Sequence, residues 1–235
     1  MRLGEIKNDD FFYHDQLNPL LWENDQLKTE VGYKLTLIVH HFVNFLKMPQ
    51  SILKDIIISG SNAAYGYNRY SDIDLHLLIE YPQNNIELRE LYAAKKNQYN
   101  MMYNIKVKDI NVELYVQDIR EPHYSAGIYS ILHNKWIKKP KHQPPTVTRK
   151  EIINKSKNYS SRIIQSLQSN DLTAAQEILN DLKNLRRSGL EKGGEESLEN
   201  LTFKMLRSRG LIDQLKKHII KLESAELSLG EQNEN

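Results

Sequence analysis

The first periodic stretch of the chain runs from about Lys28 to Lys47. Val31, Leu35, Ile38, Phe42 and Phe45 recur there at helical spacing and predict an amphipathic helix lying on a sheet. Pro49 ends it. The residues before it are irregular and aromatic, with Phe11, Phe12, Tyr13 and Trp22 around an Asn18-Pro19 turn, and read as an arm packed over the core. Ile56-Ile57-Ile58, bounded by Gly60, reads as a buried strand. Strict alternation follows, with Ile73, Leu75, Leu77 and Ile79 on one face and Asp72, Asp74 and His76 on the other. After a turn at Tyr81 to Asn85, a helix of about Ile86 to Met101 turns Leu88, Leu91 and Tyr92 inward. A strand from Ile110 to Val116 sets Val112, Leu114 and Val116 opposite Glu113, and Ala126 to Ile137 predicts a further strand or strand pair. These elements make a mixed sheet with helices on one side, an α+β core.

The pattern then changes. Lys138 to Lys150 is rich in Pro and Lys without apolar periodicity, and it reads as a boundary. Beyond it the chain is helical: Ile152, Ser156, Tyr159, Ile163 and Leu167 form one stripe, and Thr173 to Gln176 reads as a capping box for a second helix carrying Ile178, Leu182 and Leu185. Leu198, Leu201 and Met205 mark a third helix after Gly193-Gly194, and Leu211, Leu215, Ile219 and Leu222 a fourth after Gly210. The expected division is a core at 1–140, a linker at 141–150, an antiparallel helical bundle at 151–223 and a flexible tail at 224–235.

The candidate chemistry lies between the first two strands. Asp72 and Asp74, two residues apart on one strand, hold their Cα atoms roughly 7 Å apart. Like charges that close favour a cation between them, which makes the pair a metal-site candidate. Gly60-Ser61, where a strand ends at a turn, offers backbone N–H groups and a hydroxyl that suit a phosphate. Ser71 either orients Asp72 through its hydroxyl or caps the turn. His76 either contacts phosphate or the metal shell, or is a rim histidine satisfied locally; Tyr115 either lines the acceptor side or packs. Two basic clusters stand out: Lys135, Trp136, Lys138, Lys139 and Lys141, which combine charge with an aromatic as a nucleic-acid edge does, and Lys183, Arg186 and Arg187 on one helical face, which either reach a ligand or form a solvated face.

Composition narrows the classes. At 235 residues the chain can bury a substantial core, and its 40% hydrophobic and 26% charged residues are ordinary for a globular protein. It has no cysteine, which excludes disulfides, thiolate zinc sites and a cysteine nucleophile. A net charge of +2 does not indicate wholesale binding to nucleic acid. No apolar run reaches the length of a membrane span and the first residues lack a signal-peptide core, so a cytoplasmic protein without a membrane partner is expected.

Gly60-Ser61, a short spacer and Ser71-Asp72-Ile73-Asp74 resemble the signature of the DNA polymerase β-like nucleotidyltransferase superfamily, whose third acidic position Glu113 would supply. Asn18-Pro19-Leu20-Leu21-Trp22 and the long stretch LRRSGLEKGGEESLENLTFKMLR extend the likeness over nearly the whole chain, to a subgroup associated with large tailed bacteriophages, which implies the host cytoplasm as location. The resemblance implies that Asp72, Asp74 and Glu113 hold two Mg²⁺ ions, with Mn²⁺ as a substitute. It implies that Ser61 contacts the triphosphate and that Lys183, Arg186 and Arg187 close onto its tail across a cleft. The implied reaction is attack of an acceptor hydroxyl on the α-phosphate of an NTP, ATP foremost, with release of pyrophosphate. An RNA or tRNA end, a protein hydroxyl, a small molecule or a second nucleotide all remain as acceptors. The alternative is a catalytically silent nucleotide- or RNA-binding regulator on the same fold.

Overall fold

The computed structural model describes residues 13–82 and 85–228, so Phe11 and Phe12 of the expected arm and residues 229–235 of the expected tail lie outside the described residues. In chain order the elements are β1 (Trp22–Glu23), β2 (Gln26–Leu27), α1 (Thr29–Leu46), β3 (Leu53–Ser59), β4 (Ile73–Ile79), α2 (Ile86–Met102), β5 (Lys106–Val107), β6 (Ile110–Asp118), β7 (Ile128–Ser130), β8 (Lys135–Lys138), α3 (Arg149–Leu167), α4 (Leu172–Gly193), α5 (Leu198–Ser208) and α6 (Leu211–Leu227). They fall into two compact units, one up to Gln143 and one from Pro144.

The first unit is α+β. Six strands form a mixed sheet in the order β5-β6-β4-β3-β7-β8. Only β4 and β6 run parallel, and α2 connects them, as a parallel pair requires a crossover. The helical stripe of α1 buries Val31, Leu35, Ile38, Val39, Phe42, Val43 and Leu46 against Ile73, Leu75, Leu77 and Ile79 of β4 and Leu114 of β6, all in one core. Each such side chain contributes roughly 1.5–3 kcal/mol by leaving water. Lys47 closes α1 in the left-handed conformation (φ 54°), its N–H bonded back to the carbonyls of Asn44 and Val43. The helices cover one face of the sheet; the alternation of β4 and β6 turns their polar residues to the other.

Two expectations for this unit are corrected. Leu91 points outward and is 48% exposed, while Tyr92 is buried and Leu88 packs on the core as expected; Tyr99 takes the place given to Leu91. Trp136 is no free platform for a base: its ring stacks on Trp22 at 4.7 Å, its Nε1–H donates to the Asp25 carbonyl at 2.7 Å, and Lys139 pairs with the Asp25 carboxylate at 2.7 Å. The arm expectation is met at Leu17, Leu21 and Trp22, which belong to the same core.

In the second unit, α3 begins at Arg149 under a capping box in which Thr148 and Glu151 satisfy each other's backbone N–H groups. The box expected at Thr173 is corrected: α4 is capped by Asp171, whose carboxylate accepts from the Ala174 N–H at 2.9 Å, and Thr173 lies inside the helix. The helix α6 continues through Ser224 to Leu227, past the expected start of the tail. Gly189 lets α4 and α5 approach: a Cβ there would meet Glu199 Cβ at 2.6 Å and Ser197 Oγ at 2.7 Å.

Candidate functional site

The site is built where β3 ends and β4 and β6 begin. Antiparallel pairing sets Ser59 opposite Asp74, and parallel pairing sets Asp74 opposite Glu113, so these side chains share the sheet face opposite the α1 core. Asp72 immediately precedes β4 and falls on the same side by alternation. All three carboxylates are half-buried. Among the described residues no three Asp, Glu or His side chains are gathered closely enough to hold a metal ion. The strands bring the backbones of the three residues together; the carboxylates do not converge on one point.

Gly60 explains why this junction needs glycine. Its φ of 71° and ψ of −161° lie in a region that only glycine occupies without strain. A Cβ built on it would land on Asp74 Oδ2 and lie 2.9 Å from Asp74 Cγ. The bare Cα therefore makes room for the carboxylate beside it. The Gly60 N–H donates to Ser125 Oγ at a long 3.3 Å.

Beyond Gly60 a short 3-10 turn, Ser61 to Ala63, leads into the loop before β4. Ser61 Oγ donates to Ser71 Oγ at 2.9 Å, and Ser71 Oγ accepts the Asn68 N–H at 2.9 Å. Of the two readings of Ser71, the hydroxyl therefore caps the loop. Asn62, almost fully buried, is the tie that sequence reasoning missed. Its Nδ2 donates to the carbonyls of Ser71 (3.1 Å) and Asp72 (2.9 Å), and its Oδ1 accepts from Asn18 Nδ2 at 2.8 Å. Its carbonyl accepts the Trp22 indole N–H at 2.7 Å. One side chain thus fixes the backbone at Asp72 to the N-terminal segment. The signal available in the sequence was an Asn directly after Gly60-Ser61, a residue type that favours turns but announces no partner.

His76 stands next along the same face. Its Nδ1 bonds Gln117 Oε1 at 2.9 Å, its ring stacks on Tyr115 at 4.6 Å, and His123 meets it edge-on at 4.8 Å. Burial, then the neighbouring His123, draws its pKa down to about 4, so the ring is neutral at pH 7. Its partner is a side chain, and a neutral imidazole adds no charge for a phosphate. Tyr115 is packed between this ring and the ammonium of Lys96, 5.3 Å from its centroid. His123 Nε2 is buried with no hydrogen-bond partner, and burial lowers the pKa of that ring as well.

Lys183, Arg186 and Arg187 lie in α4, in the helical unit, and are exposed. The Arg186 guanidinium sits 5.1 Å over the Phe203 ring and Arg187 Nη2 donates to Asn184 Oδ1 at 2.6 Å, contacts made within that unit.

No helix among the described residues is long and apolar enough to cross a membrane. No family model matches the chain, and no curated protein does. Among solved structures, the STING-associated CdnE c-di-GMP synthase from Capnocytophaga granulosa is 16% identical, with 85% of this chain and 84% of that chain covered and a TM-score of 0.24. A likeness that slight carries no argument about fold or activity.

Proposed function

We propose that this chain is a nucleotidyltransferase that moves an NMP group from an NTP to an acceptor hydroxyl and releases pyrophosphate. The observation that carries the reading is the register of β4 on β6, which sets Asp74 beside Glu113 on the sheet face opposite the α1 core, with Asp72 on the same side and the bare Cα of Gly60 against Asp74. An all-oxygen donor set of three carboxylates suits Mg²⁺ or Mn²⁺, and Asp72, Asp74 and Glu113 are the residues that would hold them after their side chains rotate toward one another. Such ions supply neutralisation of the triphosphate and a lower pKa for the attacking hydroxyl. The chain's own residues do the rest. Gly60 and Ser61 contact phosphate at the end of β3, the Ser61 hydroxyl turning away from Ser71 to do so. Glu113 accepts the proton of the acceptor hydroxyl as its oxygen bonds to the α-phosphorus and the bond to pyrophosphate breaks.

The test is incubation of the chain with each α-labelled NTP and Mg²⁺, with and without total RNA or a protein extract. Transfer of label to an acceptor, abolished by EDTA and by the Asp72→Ala/Asp74→Ala pair, is the expected result. Removing these carboxylates should lower the rate by several orders of magnitude. Label transfer undiminished in the double variant would sink the proposal, and metal-independent NTP binding without turnover would replace it with the silent regulator.

A further inference from the structure

Between the end of β6 and the start of β7 the chain does not return along the sheet edge. It leaves Asp118, passes His123 edge-on over His76 on the carboxylate face, and reaches the junction with Ser125 against the Gly60 amide. This strap is tied firmly at both ends. At one end Asp118 accepts from Arg89 of α2, from Arg120 Nε at 2.8 Å and from Arg120 Nη2 at 2.7 Å. At the other, Gly127 is wedged against the Ala63 carbonyl with no space for a Cβ; Lys138 Nζ donates at the surface to the Ser125 carbonyl at 2.7 Å, a main-chain bond that does not fix the Ser125 hydroxyl. The middle is held far less well. Residues 122–125 form no regular structure, Tyr124 is 63% exposed, and His123 carries a buried Nε2 without a partner. A buried polar atom left unpaired costs free energy that a different position of the ring would recover. The one bond from the strap to the Gly60 amide is long, at 3.3 Å.

We infer that the strap, residues 119–126, is an autoinhibitory gate: Ser125 Oγ stands on the Gly60 N–H in the place of a phosphate oxygen, and nucleotide phosphate displaces it and lifts His123 from His76. The inference rests on the proposed function for its ligand, and on the hydrogen bond and the orphaned nitrogen for its mechanism. An anionic oxygen is a stronger acceptor than a hydroxyl, so the exchange runs toward phosphate. Lifting the strap frees His123 Nε2 to meet water.

The cysteine-free chain makes the test direct. Tyr124→Cys, at an exposed position, carries an environment-sensitive fluorophore, and each NTP and inorganic pyrophosphate is titrated with Mg²⁺ while calorimetry follows binding on the unlabelled chain. The expected result is a fluorescence change that saturates with the calorimetric curve. In a second variant, Ser125→Ala, the competitor for the amide is gone, and NTP should bind roughly two- to tenfold more tightly. Calorimetric binding with a silent label and unaltered affinity in Ser125→Ala overturns the gate and leaves the nucleotide site standing. Weaker binding in Ser125→Ala also overturns it, because Ser125 would then be a ligand contact. If no NTP and no pyrophosphate binds, the proposed function fails and the gate with it.

Discussion

Gly60 and Asp74 occupy a space large enough for only one side chain. Gly60→Ala would meet two penalties together. The positive φ costs a non-glycine residue roughly 1–3 kcal/mol, and the new methyl pushes the Asp74 carboxylate from its place. The expected outcome is a lower melting temperature together with loss of label transfer, checked by thermal denaturation and the incorporation assay on the same sample. Asn62 makes a second residue-scale prediction. Asn62→Ala leaves the carbonyls of Ser71 and Asp72 and the amide of Asn18 without their partner, and should destabilise the first unit by on the order of 2–4 kcal/mol. Denaturant titration checks it. The two residues differ in how far they could be read ahead. Glycine at a strand end before a phosphate-type turn has a local meaning, and the turn it makes was legible. The role of Asn62 depends on carbonyls and an amide brought to it by distant segments, which no local pattern encodes.

At the scale of elements, strands and helices followed their periodicities closely because burial on one face leaves a mark at every second or every third and fourth position. The misreadings came where two local signals competed. Asp171 and Thr173 both lie where α4 starts, and the carboxylate that reaches Ala174 N–H took the cap. Leu91 and Tyr99 both fit an α2 stripe; the neighbourhood of Phe42, Phe45 and Tyr103 selected Tyr99. The join between β6 and α2 has a titration consequence. Hydrogen bonds from Arg120 hold the Asp118 carboxylate down at about 2, below the ordinary carboxylate value near 3.9. A depressed folded-state pKa stabilises above the unfolded value and is lost as pH falls through the folded one. Stability should therefore decline from about pH 4 toward pH 2, and Asp118→Asn should be less stable at pH 7 yet show a shallower decline across that window in acid denaturation. In the helical unit, Gly189→Ala forces a methyl onto Glu199 and Ser197 and should cost about 1–3 kcal/mol in chemical denaturation.

For the whole molecule, the two units have separate cores: the buried residues of one run from Leu17 through Tyr129, those of the others from Ile152 onward. Among the described residues every strand belongs to the first, as do Gly60, Ser61, Asp72, Asp74 and Glu113. A fragment ending at Gln143 is therefore expected to unfold cooperatively by itself, with the circular dichroism of a mixed sheet, as chemical denaturation of that fragment would establish. The pairing of β4 with β6 reaches further than geometry. Because successive side chains alternate between faces, adding or removing one residue inside either strand would turn Glu113 or Asp74 into the apolar core and a Leu, Ile or Val out of it. A lineage carrying this chain can vary in length in surface loops between elements, but an insertion or deletion within 73–79 or 110–118 would end fold and chemistry in a single event. Descendants still able to fold should show their gaps in the loops and an unbroken count through both strands.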